Sequence, residues 1–168
     1  MAILGCTSAV EFSSDSGGDE SAREEMRIEG DSQINEGVSE VINELDVTDF
    51  KVSGLRAREV PAGEYVFKNS GSWENFLEKY QDGPPPEIDF GKHALVAVFL
   101  GSRPNPGYSV AIVGASERGG EVIVRVAESP PSPGMMYAQV IVYPYDMALI
   151  PNADKPILFA TIKKAGRP

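Results

Sequence analysis

The sequence predicts a mainly β domain: an antiparallel sandwich or half-open barrel with one packed helix at about residues 71–81. Two observations carry this. Short runs rich in Val, Ile and aromatic residues, such as Ala94–Leu100, Tyr108–Val113, Val122–Val126 and Ile157–Ile162, are separated by Gly- and Pro-containing turns. Only one stretch shows a clean helical face: Trp73, Phe76, Leu77 and Tyr80 fall at i, i+3, i+4 and i+7. Counting runs gives about five to seven strands, mostly antiparallel.

The bulk numbers bound the class. The chain has 168 residues, 42 % of them hydrophobic, which suffices for one core. No apolar run reaches the about 18 residues of a membrane helix. The net charge of −10 is unevenly placed. Residues 1–50 hold 13 acids and 2 bases, and residues 51–168 hold 12 acids and 13 bases. A near-neutral body behind an acidic leader lacks the clustered Lys and Arg of a nucleic-acid binder. One Cys and one His exclude an internal disulfide framework and a zinc finger.

The chain begins MAILGC. Ile3-Leu4-Gly5-Cys6 resembles a bacterial lipobox, which predicts a lipid anchor on Cys6. Such a signal carries a basic n-region and a longer apolar h-region, both missing here. Either the precursor starts upstream, or Cys6 is an incidental thiol. Thr7–Gly30 favours the anchor, because its Ser, Gly, Asp and Glu cannot bury a core and suit a disordered tether. Residues 31–57 read as a transition segment. Ile34, Val38, Val41, Ile42 and Leu45 fall at helical spacing, so a short amphipathic helix is expected there. One or two strands follow in Val47–Glu59, broken at Ser53-Gly54.

From residue 58 to 163 the pattern is that of a folded domain, with residues 164–168 as a tail. Glu64–Lys68 is a short strand. Ser70 and Ser72 are the cap candidates for the helix, Glu74 falls in its first turn, and Gly83 with Pro84–Pro86 ends it. Ala94–Leu100 is apolar at nearly every position, so it is expected to be buried on both faces. Arg118-Gly119-Gly120 makes a hairpin turn. Val122, Val124 and Val126 share a face, with Arg125 on the other. Ser129–Gly134 is a stiff loop, Met136–Tyr143 a strand closed by Pro144, Pro151–Pro156 a loop, and Ile157–Ile162 the final strand.

The turn GSRPNPGYSV, Gly101 to Val110, is the candidate binding feature. Arg103 and Asn105 each precede a proline and are pushed towards extended backbone. Asn105-Pro106-Gly107-Tyr108 reads as a type II turn with glycine at i+2. A loop with two prolines loses little entropy on docking. Arg103, Asn105 and Tyr108 are the candidate contact residues, since Arg and Tyr are frequent hot spots. A stiff hairpin connection explains the same Pro and Gly equally well.

Several pieces occur together in the order of a bacterial family. They are Ser70-x-x-Trp73, PEIDF (Pro86–Phe90), VAVFLGSRPNPGYSV (Val96–Val110), ESPPSPG (Glu128–Gly134) and YPY (Tyr143–Tyr145). Over Arg58–Ile162 the sequence resembles the PrcB C-terminal domain family, named for a subunit of a surface protease complex. That family's turn is commonly G-x-R-x-x-G-G-Y; Pro106 stands here where a first glycine often stands. The resemblance implies an extracytoplasmic, often lipid-anchored domain with a part in assembling or maturing a secreted protease. It carries no catalytic residues.

The residues themselves give little support to an enzyme. His93 is the only histidine and reads as a strand-edge residue beside Lys92. Glu87 and Asp89 share a face of an extended chain, but general acid–base work needs their pKa values pushed apart by burial. Glu20, Glu24 and Glu25 lack EF-hand spacing. No cofactor or metal is expected. The expected role is a binding and assembly module for a protein partner, such as a secreted protease, touching the membrane only through the lipid on Cys6. RPNPGY also looks like a loop of chagasin-like protease inhibitors, though their companion loops are missing. A structural envelope lipoprotein is the third reading.

Overall fold

Eight strands form two four-stranded sheets among the described residues, which in this computed structural model are 41–151 and 154–163. In chain order they are β1 (Asn43–Leu45), β2 (Thr48–Asp49), β3 (Gly63–Phe67), α1 (Ser70–Tyr80), β4 (His93–Phe99), β5 (Ser109–Arg118), β6 (Glu121–Ser129), β7 (Tyr145–Pro151) and β8 (Ile157–Lys163). One sheet has the order β1-β5-β6-β8 and the other β2-β7-β4-β3. All pairs are antiparallel except β6 with β8. The architecture is a sandwich with a helix on one outer face.

The alternation of β4 explains its unbroken apolar sequence. Ala94, Val96 and Val98 face the core between the sheets, where they meet Val110, Ile112, Val122, Val124, Val126, Ala148 and Ile150. Leu95, Ala97 and Phe99 point the other way, towards Trp73, Phe76 and Leu77 of α1. Both faces of β4 are therefore buried, as the sequence requires. The apolar face of α1 is core. Trp73 is 2 % exposed and packs edge-on to Phe67 at 5.1 Å and stacked with Phe76 at 5.6 Å.

Four local expectations are corrected. Neither serine caps α1: Asn69 does, its side chain accepting from Ser72 N at 2.9 Å, and no acid lies in the first turn, Glu74 included. Asn is as good a cap as Ser and precedes both candidates. Leu45 lies in β1, paired with Ala115, and Val41 and Ile42 are exposed. The helical spacing of residues 34–45 thus does not give a helix at its described end; β-branched residues favour the strand that β5 offers. The strand expected at Met136–Tyr143 is displaced to Tyr145–Pro151, where Met147, Ala148 and Ile150 are buried. Only Val142 of the expected stretch makes a bridge. The fourth correction concerns the turn at Gly107.

The hairpin Arg118–Glu121 forms as expected. Gly119 and Gly120 have φ of 58° and 85°, the two positive values that a two-residue type I′ turn demands. This tight connection closes one end of β5 and β6. Their other ends, Ser109 and Ser129, lie opposite each other in register. Two of the crossovers between the sheets, 100–108 (β4 to β5) and 130–144 (β6 to β7), therefore lie at that same end.

Candidate functional site

The two proline-containing crossovers run side by side. The β4–β7 ladder, which ends at Phe99 opposite Tyr145, continues into them. Leu100 N donates to Pro144 O at 2.9 Å, and Arg103 and Val142 exchange backbone bonds of 2.8 and 2.9 Å. Farther out, Gly107 lies against the second crossover. A Cβ on Gly107 would come within 2.8 Å of the Tyr137 ring and 2.9 Å of Pro131 Cβ. The Tyr137 hydroxyl in turn accepts from Ser132 N at 3.0 Å.

Gly107 is needed for close approach and not for its backbone angle. It is absent from the glycines with positive φ, so the turn is not type II. Instead Gly107 N donates to the Asn105 side chain at 3.0 Å, an Asx turn, and Tyr108 N reaches Asn105 O at 3.5 Å. Steric contact with a loop about thirty residues away is invisible in local turn statistics.

The three candidate contact residues converge on this turn, and each is half-buried. Arg103 faces Glu128, with Nη2 3.6 Å from Oε1, and its guanidinium sits 5.8 Å from the centre of the Tyr108 ring. Asn105 spends its carbonyl on Gly107. The outermost residues of the turn are Ser102, Pro104 and Pro106, all exposed. The arrangement is a stiff crest framed by a half-buried cation, and not a cleft. Sequence reasoning did not single out Glu128, Pro131 or Tyr137, because what binds them to the turn is distant in the chain.

The other candidates lie elsewhere. His93 opens β4 on the side of the sandwich opposite the crossovers, and its N–H donates to Asp89 O at 2.9 Å. Asp89 pairs with Lys92 at 2.9 Å and also accepts from Gly91 N. The hydrogen bond from Lys92 holds its carboxyl below the usual value, the opposite of what a general acid needs. Glu87 and Asp89 line an open groove of about 510 Å³ beside α1, with Trp73 and Phe90. A smaller cleft of about 290 Å³, lined by Glu64, Val98, Val126 and Glu128, opens between the edges of the two sheets. Among the described residues no cluster of ligating side chains could hold a metal ion, and no helix is long and apolar enough to cross a membrane. Cys6 and Glu20, Glu24 and Glu25 lie outside the described residues.

The family model described as PrcB C-terminal matches residues 94–151. The matched segment is thus similar to the PrcB C-terminal family. It runs from β4 to β7 and contains both crossovers, so the resemblance carried by VAVFLGSRPNPGYSV, ESPPSPG and YPY holds. No curated protein and no solved structure matches the chain significantly. The flanking strands β1, β2, β3 and β8 complete the two sheets around the matched segment, and the helix packs on an outer face.

Proposed function

We propose that this chain is a non-enzymatic, extracytoplasmic binding and assembly module that docks a protein partner on the crossover end of its sandwich. The partner in this reading is a secreted protease or another subunit of its complex. Lipid on Cys6 holds the module at the bacterial envelope. The observation that carries the reading is the locking of the two crossovers by Gly107 against Tyr137. A surface already held in one conformation pays little ordering cost on association. Arg103 supplies a fork of donors beside the crest, and Tyr108 an aromatic edge. The name of the matched family points the same way.

The test is recovery of a partner from native envelopes with tagged protein, comparing the natural chain with Arg103→Ala combined with Asn105→Ala. The Arg103–Glu128 pair is partly exposed, so its loss costs at most about 1 kcal/mol. The melting temperature should fall only slightly while partner recovery is lost. Recovery that is unchanged would defeat the reading. Stoichiometric inhibition of papain by the purified chain would replace it with the inhibitor reading.

A further inference from the structure

We infer that residues 136–141 form an open strand edge that pairs with the same segment of a second copy of this chain, giving a weak two-fold dimer. The starting point is a conflict between sequence and structure. MYAQVIV has the composition of a strand, with Tyr, Val and Ile. Within one copy it finds no ladder: only Val142 is bridged. The N–H groups of Met136, Ala138, Gln139 and Ile141 donate to no described residue. Tyr137 faces inward and Gln139 donates to Tyr137 O, but the apolar side chains here and at Met135 just before stand in solvent. Met136 is 98 % exposed, Met135 64 %, Ile141 63 % and Val140 51 %.

Edge strands of this kind are ordinarily protected by lysines, prolines or bulges. Here the protection is thin. No residue from Ser129 to Tyr145 is charged, and the prolines stop at Pro133 and resume at Pro144. The bond from Val140 N to Ala138 O, at 3.0 Å, is the one local kink, and it must open for pairing. The segment is anchored on its inner side by Tyr137 against Gly107, so it is presented rather than loose.

A second copy fits this edge for three reasons. Antiparallel pairing of identical strands is self-complementary and closes as a two-fold pair. An uncharged strip meets no like-charge repulsion from itself. The strip is also small: six residues of backbone, against about 20–30 residues per partner in a standard interface, suit a weak and concentration-dependent dimer. The inference is independent of the docking proposal, since it uses the outer edge of the second crossover and not Arg103, Asn105 or Tyr108.

The experiment is sedimentation equilibrium of the full chain from micromolar to millimolar concentration in about 0.15 M salt, which screens the acidic leader. The mass should rise from 18.1 kDa towards twice that value. Val140→Lys combined with Ile141→Lys should hold it at the monomer mass, whereas Leu158→Lys, on an exposed side chain of β8, should not. Amide exchange on the natural chain gives a second readout that needs no variant: residues 136–141 should slow as concentration rises. A monomer at every concentration would overturn the inference. So would a dimer that survives the Val140 and Ile141 changes, or one whose exchange protection falls elsewhere.

Discussion

Gly107 lies so close to Tyr137 that a Cβ added to it would sit 2.8 Å from both Cε1 and Cζ of the ring. Pro131 closes the other side at 2.9 Å. These contacts fix the first crossover to the second and define the crest. Gly107→Ala forces a ring and a proline apart, an overpacking that costs about 1–3 kcal/mol. Tyr137→Ala alone loses packing as well, but Gly107→Ala in that background should cost distinctly less. A double-mutant cycle by urea unfolding reads the coupling. Additive losses would mean the two residues do not restrain each other.

Trp73→Ala should destabilise the domain by about 3–5 kcal/mol, the range for a buried large aromatic. Trp73→Phe is the sharper variant. The indole Nε1 is buried with no hydrogen-bond partner among the described residues, so phenylalanine loses volume but no bond. It should cost clearly less than alanine in denaturant titration. Equal losses would point to an unseen acceptor for the indole.

Asp146 reaches from β7 to the other sheet, where its carboxylate accepts from Ile112 N at 2.7 Å beside the bulge between Ile112 and Gly114. Asp146 thus satisfies a backbone donor of β5 from across the sandwich. Asp146→Ala leaves the donor unpaired near the core, at about 1–3 kcal/mol. Asp146→Asn keeps an acceptor oxygen and should cost less. Thermal unfolding of the two variants checks the order.

Glu44 and Arg125 tie three strands on the outer face of the first sheet. Arg125 donates to both Glu44 oxygens, at 3.1 and 2.6 Å, and to Ser116 Oγ at 3.2 Å. The hydrogen bond from Arg125 holds the Glu44 carboxyl below its ordinary 4.5, against a smaller opposing effect of desolvation. A carboxyl lowered in the folded state stabilises fully above its unfolded value and loses that contribution as pH falls through the folded one. The stability difference between the natural chain and Glu44→Gln should therefore be small at pH 7, begin to shrink as pH drops below 4.5, and be gone only once pH has passed the lower folded value. A difference that grows on acidification would contradict the pairing.

Much of the fold was legible because burial writes itself into periodicity. The continuous apolar run of β4, the valines of β6 and the Trp73 face each reflect the neighbours they pack on. The Gly119-Gly120 hairpin was legible because its angles admit few other residues. What stayed hidden depends on distant partners. Val140, Ile141 and Val142 have strand composition, yet the ladder with β4 is taken by Tyr145–Pro151, whose Asp146 and Pro151, with Pro144 just before it, obscure the pattern. Gly107 reads as a turn glycine, while its true constraint is Tyr137. Arg103 and Tyr108 were visible as candidates, and Glu128 beside them was not, since nothing local joins it to the turn.

The central claim is that the crossover end of the sandwich docks a protein partner. A photo-crosslinking residue placed at Pro104, on the exposed crest, tests it in native envelopes, with a second at exposed Glu121, beside the hairpin at the opposite end of β5 and β6, as the comparison. One discrete adduct of a secreted or envelope protein is expected from position 104 and none from position 121. No adduct from position 104, or the same adducts from both positions, would contradict it.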